Sequence, residues 1–190
     1  FSGIELRISH GRSGVAWFDT VVLEDLRKPG VNLVRNPSFE QDADHDGLPG
    51  QWEALGLASG DHLVTEYAHS GEKSLLIVGD PSARKAVVQR IPYSGEAGSS
   101  FRLSAESRGE GVYGEGGRYA LSATFLCREG EDKAIVAGFP CHTHDWATAG
   151  SDKIVAHWWG HRKDFMNEAV QAVLGKVLSD PSRIRWLDLF

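Results

Sequence analysis

The feature that most constrains this chain is its punctuation. Runs of five to nine β-branched, aromatic or alternating residues are separated every eight to twelve positions by Gly, Ser, Asp or Asn, and 22 glycines are spread along the chain without a repeat. Gly3-Ile4-Glu5-Leu6-Arg7-Ile8 alternates apolar and polar, as a half-buried strand does. Ser13-Gly14 breaks it, and Val15–Leu23 reads as a second strand, expected to be hairpin-joined to the first. Further strands are expected at 32–34, 62–66, 73–78, 85–91, 100–108, 118–128, 133–139 and 153–158. Many short strands at this spacing predict an all-β, antiparallel sandwich.

The tail departs from that pattern. Phe165, Met166, Ala169, Val170, Ala172, Val173, Leu174, Val177 and Leu178 recur at helical spacing, with Asp164 where an N-cap belongs and Ser179-Asp180-Pro181 ending the run. The spacing predicts a C-terminal helix over 164–178.

Charge and composition remove several function classes. At 190 residues the chain can bury one good core. Its 26 acidic residues outnumber 20 basic ones, and the longest basic cluster is His161-Arg162-Lys163, so no phosphate-tracking surface for nucleic acid is expected. No apolar run approaches the roughly 20 residues of a membrane helix, so no membrane partner is expected. No charged-then-apolar leader precedes Phe1. The chain is expected to have been cut from something longer. Cys127 and Cys141 lie 14 apart across a strand-turn-strand. They are either a disulfide, stabilising by roughly 3 kcal/mol, or two buried small hydrophobes.

Three stretches together resemble the jelly-roll carbohydrate-binding modules of the cellulose- and xylan-binding type. Asn32-Leu33-Val34-Arg35-Asn36-Pro37-Ser38-Phe39-Glu40 is similar to their N-L-x-x-N-P-x-F-E opening. His69-Ser70-Gly71-Glu72-Lys73-Ser74-Leu75 is similar to their H-S-G-x-x-S-L turn into a strand, and Gly14-Val15-Ala16-Trp17-Phe18-Asp19 to the G-x-x-W-F-D strand that closes the fold. Gln89-Arg90-Ile91-Pro92, Phe101–Ala105 and His144-Asp145-Trp146 add weaker matches. The resemblance implies a jelly-roll β-sandwich over 32–158, joined through a linker at 28–31, with a helical tail over 159–190. The W-F-D strand normally comes last, yet here it stands first. Residues 1–27 are therefore either the closing hairpin of a preceding module or the strands that complete this one.

The resemblance also implies a function: reversible, non-catalytic binding of a polysaccharide, in an extracellular or cell-surface protein with covalently linked neighbouring modules. Sugar binding needs flat apolar rings to stack on pyranoses, with polar groups for the hydroxyls. The candidates are Tyr113, Tyr119, Trp146, Trp158 and Trp159, partnered by Glu115, Arg118, Asp145 and Gln89. A structural or adhesive spacer without sugar binding is the competing expectation.

Calcium is the expected cofactor, at two places. Asp42, Asp44 and Asp46 followed by Gly47 offer three carboxylates at i, i+2 and i+4, as in the first half of an EF-hand loop, and Glu53 falls at position twelve. Pro49 and Trp52 argue against a helical exit, and the plain alternative is a solvated acidic turn. The resemblance implies a second calcium shared by Glu40 and Asp19.

Catalytic signatures are weak. His157 and His161 stand at i, i+4, but no Glu follows His157 and Gly160 disfavours a helix there. The Gly-rich stretch 109–117 lacks the Lys-Ser/Thr of a phosphate loop, and no Gly-x-Ser-x-Gly elbow is present.

Overall fold

A computed structural model of the chain describes residues 1–95, 99–114, 118–128 and 130–154. The described chain is all-β, with ten strands: β1 (Gly3–His10), β2 (Val15–Asp25), β3 (Glu53–Leu55), β4 (His62–Val64), β5 (Ser74–Val78), β6 (Lys85–Ile91), β7 (Ser100–Glu110), β8 (Tyr119–Leu126), β9 (Lys133–Gly138) and β10 (His144–Ile154). They form two antiparallel sheets, ordered β3-β6-β1-β8-β9 and β10-β7-β2-β5-β4. Their inner faces share one apolar core, the layout of a β-sandwich.

Alternation explains the first sheet. Ile4, Leu6 and Ile8 of β1 are fully buried, while Glu5, Arg7 and Ser9 face out. Leu121, Ala123 and Phe125 of β8 and Val87 and Ile91 of β6 meet them from either side. In the second sheet Ala16, Phe18, Val21 and Leu23 of β2 and Phe101, Leu103 and Ala105 of β7 supply the facing layer. Phe101 and Phe125 meet across the sheets with ring centroids 4.9 Å apart.

The expected hairpin between the first two strands does not form. β1 pairs with β6 and β8, whereas β2 pairs with β5 and β7, so the chain crosses between sheets at residues 11–14. Gly14 carries that crossing with φ +86°, and a Cβ there would sit 2.2 Å from the Gly111 carbonyl oxygen. The N-terminal strands thus occupy the centre of each sheet.

Other departures are local. Asn32–Val34 is no strand and makes a single bridge from Asn32 to Glu24. β10 begins at His144, nine residues before the strand expected at 153–158, of which 155–158 lie outside the described residues, and the short edge strand β3 has no counterpart among the expected strands. Cys127 and Cys141 are unbridged and half-buried. The expected helix over 164–178, together with His157, Trp158, Trp159 and His161, lies outside the described residues. Among the described residues no helix is long and apolar enough to cross a membrane.

Candidate functional site

The N-P-x-F-E stretch is a bracket. Asn36, in the left-handed region at φ +48°, donates from Nδ2 to the carbonyls of Gln41 (2.9 Å) and Gly50 (2.8 Å) and accepts from the Gln41 N–H (3.0 Å). It therefore closes the base of the 41–50 loop. Phe39 is fully buried with its ring 5.4 Å from that of Trp52, whose Nε1–H donates to the Asn36 carbonyl (3.2 Å).

Asp19 and Glu40 grip one further segment from two sides. A bulge in β2 between Asp19 and Val22, with Thr20 at φ +50°, turns the Asp19 carboxylate onto the 69–70 turn. Its Oδ2 accepts the N–H groups of His69 and Ser70, both at 2.8 Å, and Oδ1 accepts the Thr20 N–H at 2.5 Å and the Ser70 hydroxyl at 3.2 Å. Burial still holds the Asp19 carboxyl above the usual carboxylate range, against the pull of those bonds. Glu40 Oε1 accepts the N–H groups of Glu72 and Lys73, each at 3.0 Å. Gly71, at φ +65°, lies between them, and a Cβ there would stand 2.3 Å from Glu40 Oε1.

The acidic loop is held by its own backbone. Asp42 Oδ2 accepts the Gly47 N–H (3.3 Å) and Asp46 Oδ1 that of Leu48 (2.8 Å), while Asp44 is exposed. Glu53 lies at the start of β3 and pairs with Arg90 at 2.7 Å, so it is engaged on the sheet rather than wrapped onto the loop. Among the described residues no three His, Cys, Asp or Glu side chains come together as a metal cage.

A concavity lies on the outer face of the first sheet. A groove of about 720 Å³ crosses β6, β1 and β8, floored by small side chains that include Ser9, Ala86 and Ser122. Glu5, Arg7, Arg84, Arg118 and Thr124 rise around it, and among the described residues no aromatic ring lines it. Glu5 is the one carboxylate among the lining residues, and it pairs with Arg7 at 3.0 Å. Lys85 also borders the groove, but its ammonium turns inward to Asp61 at 2.8 Å.

The aromatic candidates divide sharply. Tyr113 is 58% exposed, on a loop whose carbonyl receives the Ser13 N–H (3.1 Å) and hydroxyl (2.8 Å), two residues along the chain from groove-lining Gly11. Tyr119, by contrast, is only 4% exposed and is corrected from ligand face to core. Its ring packs on His10 (5.0 Å), Phe139 (5.1 Å) and Phe18 (5.8 Å), because it shares the inward parity of Leu121 and Phe125. Burial pushes its hydroxyl up to about 12. Gln89 is likewise structural, bonding both the N–H and the carbonyl of Arg35 at 2.8 Å. Asp145 pairs with Arg108 at 2.7 Å. Trp146 is half-buried against His69 with rings 5.5 Å apart.

Arg118 does line the groove, whereas Glu115 and Trp158 lie outside the described residues. Sequence reasoning missed Arg7, Arg84 and the floor, whose grouping depends on which strands become neighbours. It also missed Tyr67, whose ring meets Trp17 at 5.1 Å beneath the Arg108 guanidinium at 4.3 Å. Comparison with family models, with curated proteins and with solved structures found no match.

Proposed function

We propose that this chain is a non-catalytic carbohydrate-binding module of jelly-roll type, which holds a polysaccharide against the outer face of the first sheet. The observation that carries the reading is the groove itself. It is long enough to cross three strands, its floor is cleared by small residues, and its walls are hydroxyls and guanidiniums that hydrogen-bond sugar hydroxyls. Among the described lining residues the one carboxylate is Glu5, which is bound by Arg7, whereas glycoside hydrolysis uses a pair of acids. Exposed Tyr113, whose carbonyl bonds Ser13 two residues along the chain from groove-lining Gly11, offers a stacking face outside the groove lining.

Calcium is proposed as a structural ion at Asp19 and Glu40, whose carboxylates flank the 69–73 segment. Asp19 is a fully buried carboxylate with no cationic side chain bonded to it, and a divalent ion would offset the burial that raises its pKa. Asp42, Asp44 and Asp46 form the second proposed site, with their turn as a preformed half-loop. An extracellular or cell-surface protein with linked modules suits such a binder, since weak single sites gain from tandem copies.

The rival reading is a calcium-stiffened spacer, favoured by the absence of any aromatic ring among the described groove-lining residues. Affinity electrophoresis of the chain in gels containing cellulose derivatives, xylan, β-glucan, pectin or alginate, with and without chelator, tests the two. Retardation on at least one polymer supports binding. Free migration on all of them leaves the spacer.

A further inference from the structure

We infer that the groove selects acidic polysaccharides, chains bearing carboxylate or sulfate groups, over neutral ones; this rests on the carbohydrate-binding reading above. The chain as a whole carries a formal charge of −6, yet among the described residues this groove is bordered by Arg7, Arg84, Lys85 and Arg118 against the single carboxylate of Glu5. A basic groove on an acidic protein is a local device, because the bulk charge repels the ligand it would attract.

Two of those cations stand ready for a ligand. Arg7 is occupied by Glu5 and Lys85 by Asp61. Arg84 and Arg118 are exposed, and among the described residues neither guanidinium has a hydrogen-bonding or ion-pair partner. Their placement follows from the register. Lys85, His10 and Tyr119 lie side by side across β6, β1 and β8 and point inward. Arg84, Gly11 and Arg118 stand one residue beyond the ends of the same three strands and line the groove on the outer face. At about 4.8 Å between neighbouring strands, the two arginine backbones lie on the order of 10 Å apart. The residue between them is Gly11, whose N–H donates to the Arg118 carbonyl at 2.9 Å.

A guanidinium presents a planar fork that matches the two oxygens of a carboxylate or sulfate. Neutral glucans and xylans are gripped chiefly by stacking, and among the described residues the lining has no ring to stack on. The chemistry therefore suits anions placed along a polymer better than bare pyranose faces.

The test is affinity electrophoresis of the whole chain in gels containing polygalacturonate, alginate, dextran sulfate, neutral xylan, hydroxyethylcellulose or polyphosphate. It is run on the wild type, on Arg84→Gln, on Arg118→Gln and on Lys28→Gln, an exposed cation outside the groove. Unfolding midpoints show that each variant is folded. The expected result is retardation by the uronate or sulfate polymers, weakened about fivefold to tenfold by either arginine change and by added salt, and unaffected by Lys28→Gln. The uronate and sulfate gels tell which anion is preferred. Equal or tighter binding of neutral polymers, with no loss in the arginine variants, overturns the acidic preference while leaving sugar binding intact. Free migration on every glycan ends both readings. Polyphosphate bound more tightly than any glycan, with the same arginine dependence, overturns the sugar assignment.

Discussion

Replacing Asp61 by alanine is expected to cost more stability than replacing its partner Lys85 by methionine. Asp61 is buried, and its side chain bonds the Lys85 ammonium at 2.8 and 3.1 Å, the Ala58 N–H at 2.7 Å and the Val78 N–H at 2.8 Å. Lys85 has one further bond, to the Val78 carbonyl at 2.8 Å. Asp61→Ala therefore strands a buried cation and two backbone donors at once. Breaking a buried pair costs about 3–5 kcal/mol, and each orphaned N–H adds about 1–3. The net expectation is at least about 5 kcal/mol. In Lys85→Met the carboxylate keeps both backbone donors, so the loss is expected at about 2–3 kcal/mol. Urea unfolding at pH 7, followed by tryptophan fluorescence with the slope checked for constancy, measures both. If the two losses are equal, if both fall below about 1 kcal/mol, or if the lysine variant is the weaker protein, the reasoning is refuted.

Three other perturbations have defined outcomes. Burial lowers the His10 pKa from 6.5 to about 4. The unfolded chain therefore takes up the proton first as pH falls, and stability present above 6.5 is lost towards 4. Between pH 7.5 and 5 this one group is expected to remove about 2 kcal/mol, so His10→Leu should flatten the pH dependence of urea unfolding by that amount; an unchanged slope contradicts it. Asp19→Ala leaves the N–H groups of His69 and Ser70 without their carboxylate and is expected to lower stability by about 1–3 kcal/mol, read as a shifted thermal midpoint. Gly71→Ala forces an L side chain into the left-handed region and against Glu40, so chemical denaturation should show a loss of more than about 1 kcal/mol.

Legibility followed locality. The parity of Gly3–Ile8 is written residue by residue, and the observed strand has Ile4, Leu6 and Ile8 inside as that parity requires. The same parity on β8 turns Tyr119 inward with Leu121 and Phe125, which its place among the candidate stacking rings overlooks. β10 escaped because His144–Ile154 is poor in β-branched residues; it is an edge strand paired to β7 alone, so backbone bonds define it more than side chains do. Asn32–Val34 reads as a strand by composition, yet Asn36 at positive φ and Pro37 bend the chain away directly afterwards. The groove needed three strands separated by more than a hundred residues of sequence to become neighbours, and no local pattern states that.

Placing the first two strands at the centre of each sheet shapes how the chain is made. β1 ends at His10, and the first strand that can pair with it begins at Lys85. At about 5–20 residues per second, a ribosome leaves Ile4, Leu6 and Ile8 without a partner for roughly four to fifteen seconds. Every contact that closes the centre of this protein is long-range, so its refolding should be slow for its size and prone to clumping when crowded. The alternating charges Glu5 and Arg7, between those apolar residues, are what the nascent strand has to resist that fate.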